Sequence, residues 1–124
     1  MAVKQWAVKL PFQKPPLSAN QRIHWAVKAR TTKEIRQASM LSLRAEGVPP
    51  CKRVRVRLLW AVSDRRRRDP SNMMPTQKAV VDGMVDAGVV PDDTPEFVVE
   101  EMPRLMMVEK GREGVIFQVI GELK

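Results

Sequence analysis

The sequence predicts an α/β (α+β) single domain over residues 1–124, a mixed β-sheet packed with two main helices. Three observations carry that prediction. The stretch KRVRVRLLWAVSD alternates apolar and basic residues as a half-buried strand does. TTKEIRQASMLSLRAEG and NMMPTQKAVVDGMVDAG each read as a helix that a glycine closes. Strand and helix signals then follow one another in the order β-α-β-α-β-β, which suits helices laid on a mixed sheet.

Taken in order, residues Ala2 to Leu10 alternate loosely and stop at Pro11, which predicts a first strand. The segment PFQKPPLSANQRIHW is too rich in Pro, Asn and Ser for a regular element and is read as a long loop, the kind that often carries function. The first helix is expected over about Thr31 to Glu46, with Thr31 and Glu34 as a capping box, an apolar stripe of Ile35, Ala38, Leu41 and Ala45, and Gly47 as its stop. Lys33, Arg36 and Arg44 lie off that stripe, on a solvated face or on an edge that meets DNA.

The central strand should bury Val54, Val56, Leu58, Trp60 and Val62 and expose Arg53, Arg55 and Arg57. Those arginines either solvate an open sheet face or contact phosphate. A second helix is expected from near Asn72, its N-cap, to Ala87, with Pro75 in the first turn and Gly88 just past the end. Val81, Met84 and Val85 on it suit the core or a partner subunit equally. Two last strands, about Phe97 to Glu109 and Gly114 to Gly121, are joined by the turn Lys110-Gly111-Arg112. Trp6 and Trp60 are assigned to the core, and Trp25 is assigned to packing in preference to a binding role.

A net charge of +8 and a pI near 10.3 in 124 residues point to a polyanionic partner. One cysteine, Cys51, excludes an intrachain disulfide and a cysteine metal cage, and one histidine, His24, excludes multi-histidine zinc sites and leaves carboxylates to carry any catalysis. With no apolar run of about 18 residues and no signal-peptide pattern, the chain is expected in the cytoplasm and off the membrane.

The chemistry gathers in RRRRDPSNMMPTQKAVVDGMVDAGVVPDD, where Asp69, Asp82, Asp86, Asp92 and Asp93 follow four consecutive arginines. Asp69 sits where a strand passes into a loop and then a helix, a position that holds a carboxylate still beside backbone N–H groups suited to phosphate. Magnesium takes hard oxygens, usually one or two carboxylates with water and substrate phosphate completing its shell. Lys78, Asp82 and Asp86 recur at four-residue spacing, either as surface ion pairs or as a lysine facing the reacting phosphoryl group with an acid near the metal.

That same stretch resembles the central motif of the RusA-like Holliday junction resolvases, which reads Arg-rich, Asp-x-Asp-Asn, Lys-Ala, Asp, Ala-Gly and Asp-Asp. LPFQKPPLSANQRIHW resembles the family's opening strand and Pro-rich loop. The resemblance implies a RusA-like fold and a phage- or prophage-encoded homodimer in a bacterial host. It implies that the protein binds branched DNA and cuts four-way junctions in paired symmetric nicks with Mg2+, for which Mn2+ substitutes. It implies catalytic roles for Asp69, Lys78 and Asp93, metal ligation by Asp69, Asp93, Asp82 and Asp92, and DNA contacts from Arg65, Arg66, Arg67, Arg68, Asn72, Asn20 and Arg22.

Ser71 departs from the pattern, standing where the family has its second aspartate. The expectation is that Asp82 or Asp92 completes the shell. The alternatives are a serine acting through water and a chain that binds junctions without cutting them.

Overall fold

The longest strand, β2 (Cys51–Val62), forms the middle of the sheet in a computed structural model that describes residues 2–124. On one side it pairs antiparallel with β5 (Gly114–Leu123), which pairs antiparallel with β1 (Val3–Lys9). On the other side β2 pairs in parallel with two short strands, β3 (Val98–Glu100) and β4 (Arg104–Met107). The result is a mixed five-stranded sheet with two helices, an α+β fold.

Alternation along the strands sorts the side chains as the sequence reading expects. Val8, Val54, Val56, Leu58, Val115, Phe117 and Val119 are buried, Ile35, Leu43, Val80, Val81 and Met84 join them from the helices, and Trp60 packs against this core only partly buried. Arg53, Arg55 and Arg57 point to the other, uncovered face, where Arg53 stands 3.9 Å from Glu122 and Arg57 donates to the Gln118 side chain at 2.8 Å. The arginine row is thus partly engaged by its neighbouring strand.

Helix α1 (Trp25–Ala45) begins earlier than the capping box at Thr31 suggested. His24 is the cap: its Nδ1 accepts from the Ala26 N–H at 3.1 Å, while Thr32 bonds back to the Lys28 carbonyl inside the helix. A local Thr-x-x-Glu signal therefore loses to a cap about two turns upstream. The buried stripe is Ile35, Ser39 and Leu43, whereas Leu41 is exposed. Ser39 replaces an apolar residue there because α2 crosses at close range and its hydroxyl donates to the Val80 carbonyl at 2.7 Å.

Helix α2 (Met74–Asp86) is preceded by a 3₁₀ turn, Pro70–Met73. Asn72 lies inside that turn and is not an N-cap: Asp69 caps the turn, its carboxylate accepting from the Ser71 N–H, and Met73 stands at the N-cap of α2 without a side-chain bond. The helix ends as expected at Gly88, whose φ of 82° lets its N–H reach Val85 and that of Val89 reach Met84, the paired bonds of a left-handed cap. Val81 and Met84 are buried in the chain's own core.

Arg36 and Arg44, set off the helical stripe, both reach the end of α2. Arg36 forms a two-pronged ion pair with Asp86, and Arg44 donates to the Asp86 carbonyl at 3.4 Å, so both tie α1 to the end of α2. Both partners are substantially exposed, so Arg36→Ala is expected to cost about 0.5 kcal/mol at neutral pH. The Arg36 hydrogen bond, and then its charge, hold the Asp86 carboxyl below its ordinary value. The stabilisation is therefore present above the unfolded carboxyl pKa and is lost as pH falls through the lower folded one. Urea melts of wild type and Arg36→Ala should differ at pH 7 and converge in acid.

The stretch expected as one strand from Phe97 to Glu109 is two. Pro103 lacks an N–H to donate and breaks the ladder between β3 and β4. Gln77 of α2 fills the gap. It is wholly buried, its Oε1 accepts from the Leu58 N–H at 2.8 Å, and its Nε2 donates to the Glu101 carbonyl at 2.9 Å and the Glu100 carboxylate at 3.2 Å. Gln77→Met keeps the volume but strands two backbone groups, and should cost about 2 kcal/mol in a urea titration.

No helix among the described residues is long and apolar enough to cross a membrane.

Candidate active site

The chain leaves β2 at Val62 and runs through the arginines to Asp69, so the end of the central strand fixes where the site begins. The Pro-rich loop is then pinned against the start of α2. Thr76, fully buried, donates its hydroxyl to the Leu17 carbonyl and accepts the Leu17 N–H, at 2.8 and 2.9 Å, and the Ala19 N–H bonds to the Asn72 carbonyl at 3.0 Å. These bonds, between residues more than fifty positions apart, bring Asn20 and Asn72 to the groove that contains Asp69.

That groove, about 460 Å³, is lined by Lys14, Asn20, Arg67, Arg68, Asp69 and Asn72 with apolar residues at its floor. Its size suits a nucleotide-sized group. Asp69 is exposed there, and its Oδ1 accepts both the Ser71 N–H at 3.0 Å and the Ser71 hydroxyl at 2.8 Å. The Ser71 hydroxyl first, its N–H second and the charge of Arg67 third hold the Asp69 carboxyl below its ordinary value. Ser71 therefore spends its hydroxyl on Asp69, where the resemblance would have a second carboxylate.

The arginine run is not four equivalent phosphate ligands. Arg68 is mostly covered, at 13% side-chain exposure: it pairs with Asp64 at 2.9 Å and lies over the Trp60 ring at 4.9 Å. Arg66 stands 4.0 Å from the same Asp64. Asp64, unremarked in the sequence, thereby shapes the run, and its carboxyl is held low by Arg68 and the Arg66 N–H. Arg65 and Arg67 make no ion pair among the described residues and are free for a polyanion.

The remaining acids divide. Asp93 pairs with Lys78 at 3.7 Å, joining two of the residues assigned to catalysis, and Asp92 accepts from the Asp93 N–H at 2.8 Å. Asp82 lines a second groove with Lys78, Lys28, Thr32 and Glu100. Asp86 is held away by Arg36. No three His, Cys, Asp or Glu side chains are gathered into one group among the described residues, so Asp69, Asp82, Asp92 and Asp93 do not form a ready cage. Magnesium needs fewer. Asp69 Oδ2 makes no hydrogen bond among the described residues, and one open carboxylate with water and phosphate fits the ion's habit.

Arg22 lines a third groove with His24 and Lys28, and Leu17 lines all three. The sequence reading missed Thr76, Gln77 and Glu100. Met73, Thr76, Gln77, Val80 and Met84 recur at helical spacing, so two polar residues inside an apolar stripe were the signal for the first pair. Glu100 left none, since only the break in the strand brings it to Gln77.

No protein-family model matches the chain, and no curated protein does. Among solved structures it is similar to the hydrogenase maturation protein HypE, with 12% identity and a TM-score of 0.35, covering 99% of this chain and 32% of that one. A HypE–HypF complex gives 14% identity and 0.34, covering 98% of this chain and 32% of that one, and E. coli HypE gives 12% and 0.34, covering 98% and 31%. The chain thus spans about a third of the proteins it matches, and the likeness carries no argument about activity.

Proposed function

We propose that the protein is a structure-selective endodeoxyribonuclease that resolves four-way DNA junctions by paired nicks, as a magnesium-dependent homodimer in the cytoplasm of a bacterial host. The observation that carries this reading is the Asp69 groove, where an open carboxylate shares one lining with two asparagines and the unpaired guanidinium of Arg67. The RusA-like order of the motif supports it from the sequence side.

Arg65 and Arg67 would hold phosphates and fix the strand without reading bases. Asn20 and Asn72 offer both donors and acceptors to the sugar-phosphate backbone. Lys78, which lines the second groove and pairs with Asp93, would neutralise charge on a phosphate entering there. Asp69 would hold the metal, which when bound supplies an activated water and offsets charge on the leaving oxygen.

A second reading, a noncatalytic branched-DNA-binding protein, is favoured by one specific observation: Ser71 adds a hydroxyl where a carboxylate would strengthen the cation site, and the acids stand apart. Incubation of the wild-type protein with an end-labelled four-way junction, in magnesium and in EDTA, separates the two. Paired nicks in magnesium alone support the nuclease; tight junction binding with intact strands supports the binder and sinks the nuclease.

A further inference from the structure

The first turns of α1 stand clear of the core. Every residue from His24 to Arg30 is exposed, and Trp25, at 76%, is the most exposed of the large apolar side chains among the described residues. The packing role expected for Trp25 is therefore overturned within this chain: the helix starts at this residue and leaves its side chain in solvent. Leaving an indole in water forgoes the stabilisation that burial gives.

The ring is also held. His24 lies 5.5 Å from it, tilted by 31°, and is itself fixed by the bond from Ala26 to its Nδ1. Arg22 and Lys28 flank this pair in sequence and Arg30 and Lys33 follow along the helix, all exposed and without an ion pair among the described residues, and no acid lies between Arg22 and Lys33. Arg22, His24 and Lys28 line one groove, and Lys28 and Pro75 carry it into the groove of Lys78 and Asp82.

We infer that Trp25 is a stacking platform for an unpaired nucleobase, with Arg22 and Lys28 on the flanking phosphates. The inference rests on the DNA-junction reading above and deepens it, because a branch point offers bases that a duplex keeps stacked. A flat aromatic face within a basic surface is the combination that holds single strands without regard to sequence. A second copy of this chain is the poorer occupant, since a two-fold contact through Trp25 would set Arg22, Lys28 and Arg30 against the same residues of its mate.

The test is fluorescence anisotropy of the full-length protein with labelled oligothymidylate, a linear duplex and a four-way junction. Trp25→Ala should weaken oligothymidylate and junction binding about tenfold while leaving duplex binding unchanged, and Trp25→Phe should recover most of the loss. The side chain is exposed, so both variants should keep the wild-type circular dichroism. Wild-type affinities in Trp25→Ala, with junction preference intact, would overturn this inference alone and leave the nuclease standing. Loss of self-association in sedimentation, with nucleic-acid affinity unchanged, would overturn it in favour of a contact between copies. A wild-type protein that binds none of the three would overturn it together with the reading beneath it.

Discussion

Gly83→Ala is expected to destabilise the fold by about 3 kcal/mol, at the upper end of what one added methyl does in a packed interior. A Cβ on Gly83 would stand 2.3 Å from the Arg36 carbonyl oxygen and 2.6 Å from Ser39 Cβ. The first neighbour is backbone, which cannot swing aside, so the methyl must part the two helices. The sign is the informative quantity. Were this glycine incidental, alanine would stabilise an interior helical position by about 1 kcal/mol. Thermal melts should instead show a midpoint lowered by about 10 °C. Loss of the Ser39 bond to Val80 and of the Arg36 pair with Asp86 should follow, because all three contacts belong to one crossing.

The second large effect concerns chemistry. Asp69→Asn should lower junction cleavage by more than about a hundredfold, beyond what loss of a merely supporting residue costs. Asparagine keeps an Oδ1 that accepts from Ser71, so the 3₁₀ turn and junction binding should survive. Ser71→Asp should act oppositely. It sets a second carboxylate against the first, and like charges at that range raise the pKa of one of them. Without a cation the variant should melt below wild type, and with magnesium its midpoint should rise by more than the wild type's. That melting difference reads metal binding whether or not any strand is cut. An unchanged midpoint in magnesium would remove Asp69 as the ion's holder.

Much of the fold was legible because its signals are local and uncontested. Alternation from Lys52 to Val62 meets no rival, and Gly47 and Gly88 mark helix ends wherever the helices begin. The start of α1 was not legible, because Thr31 and Glu34 form a valid cap that a longer helix runs through, and His24 is an uncommon cap. In the candidate site, the pairing of Lys78 with Asp93 spans the end of a helix and a turn, beyond the reach of any local signal. The splitting of the arginine run does not follow from the motif. It depends on Asp64 at four residues from Arg68 and on the Trp60 ring, which together take one arginine out of solvent. Tertiary contacts decide such matters after composition has suggested them.

The break at Pro103 has a bearing on how the protein behaves when crowded. The outer side of β3 and β4 is a sheet edge, and Met106 and Met107 are exposed on it, the sort of border along which chains join into fibres. Yet no uninterrupted strand there exceeds four residues, and Pro103, with no N–H to offer, stands in the break between the two. With Gln77 filling the gap from within, the border stays ragged, and a strand from a second chain finds no straight template to extend. On this side, opposite the β1 edge, the sheet is thereby kept from growing sideways.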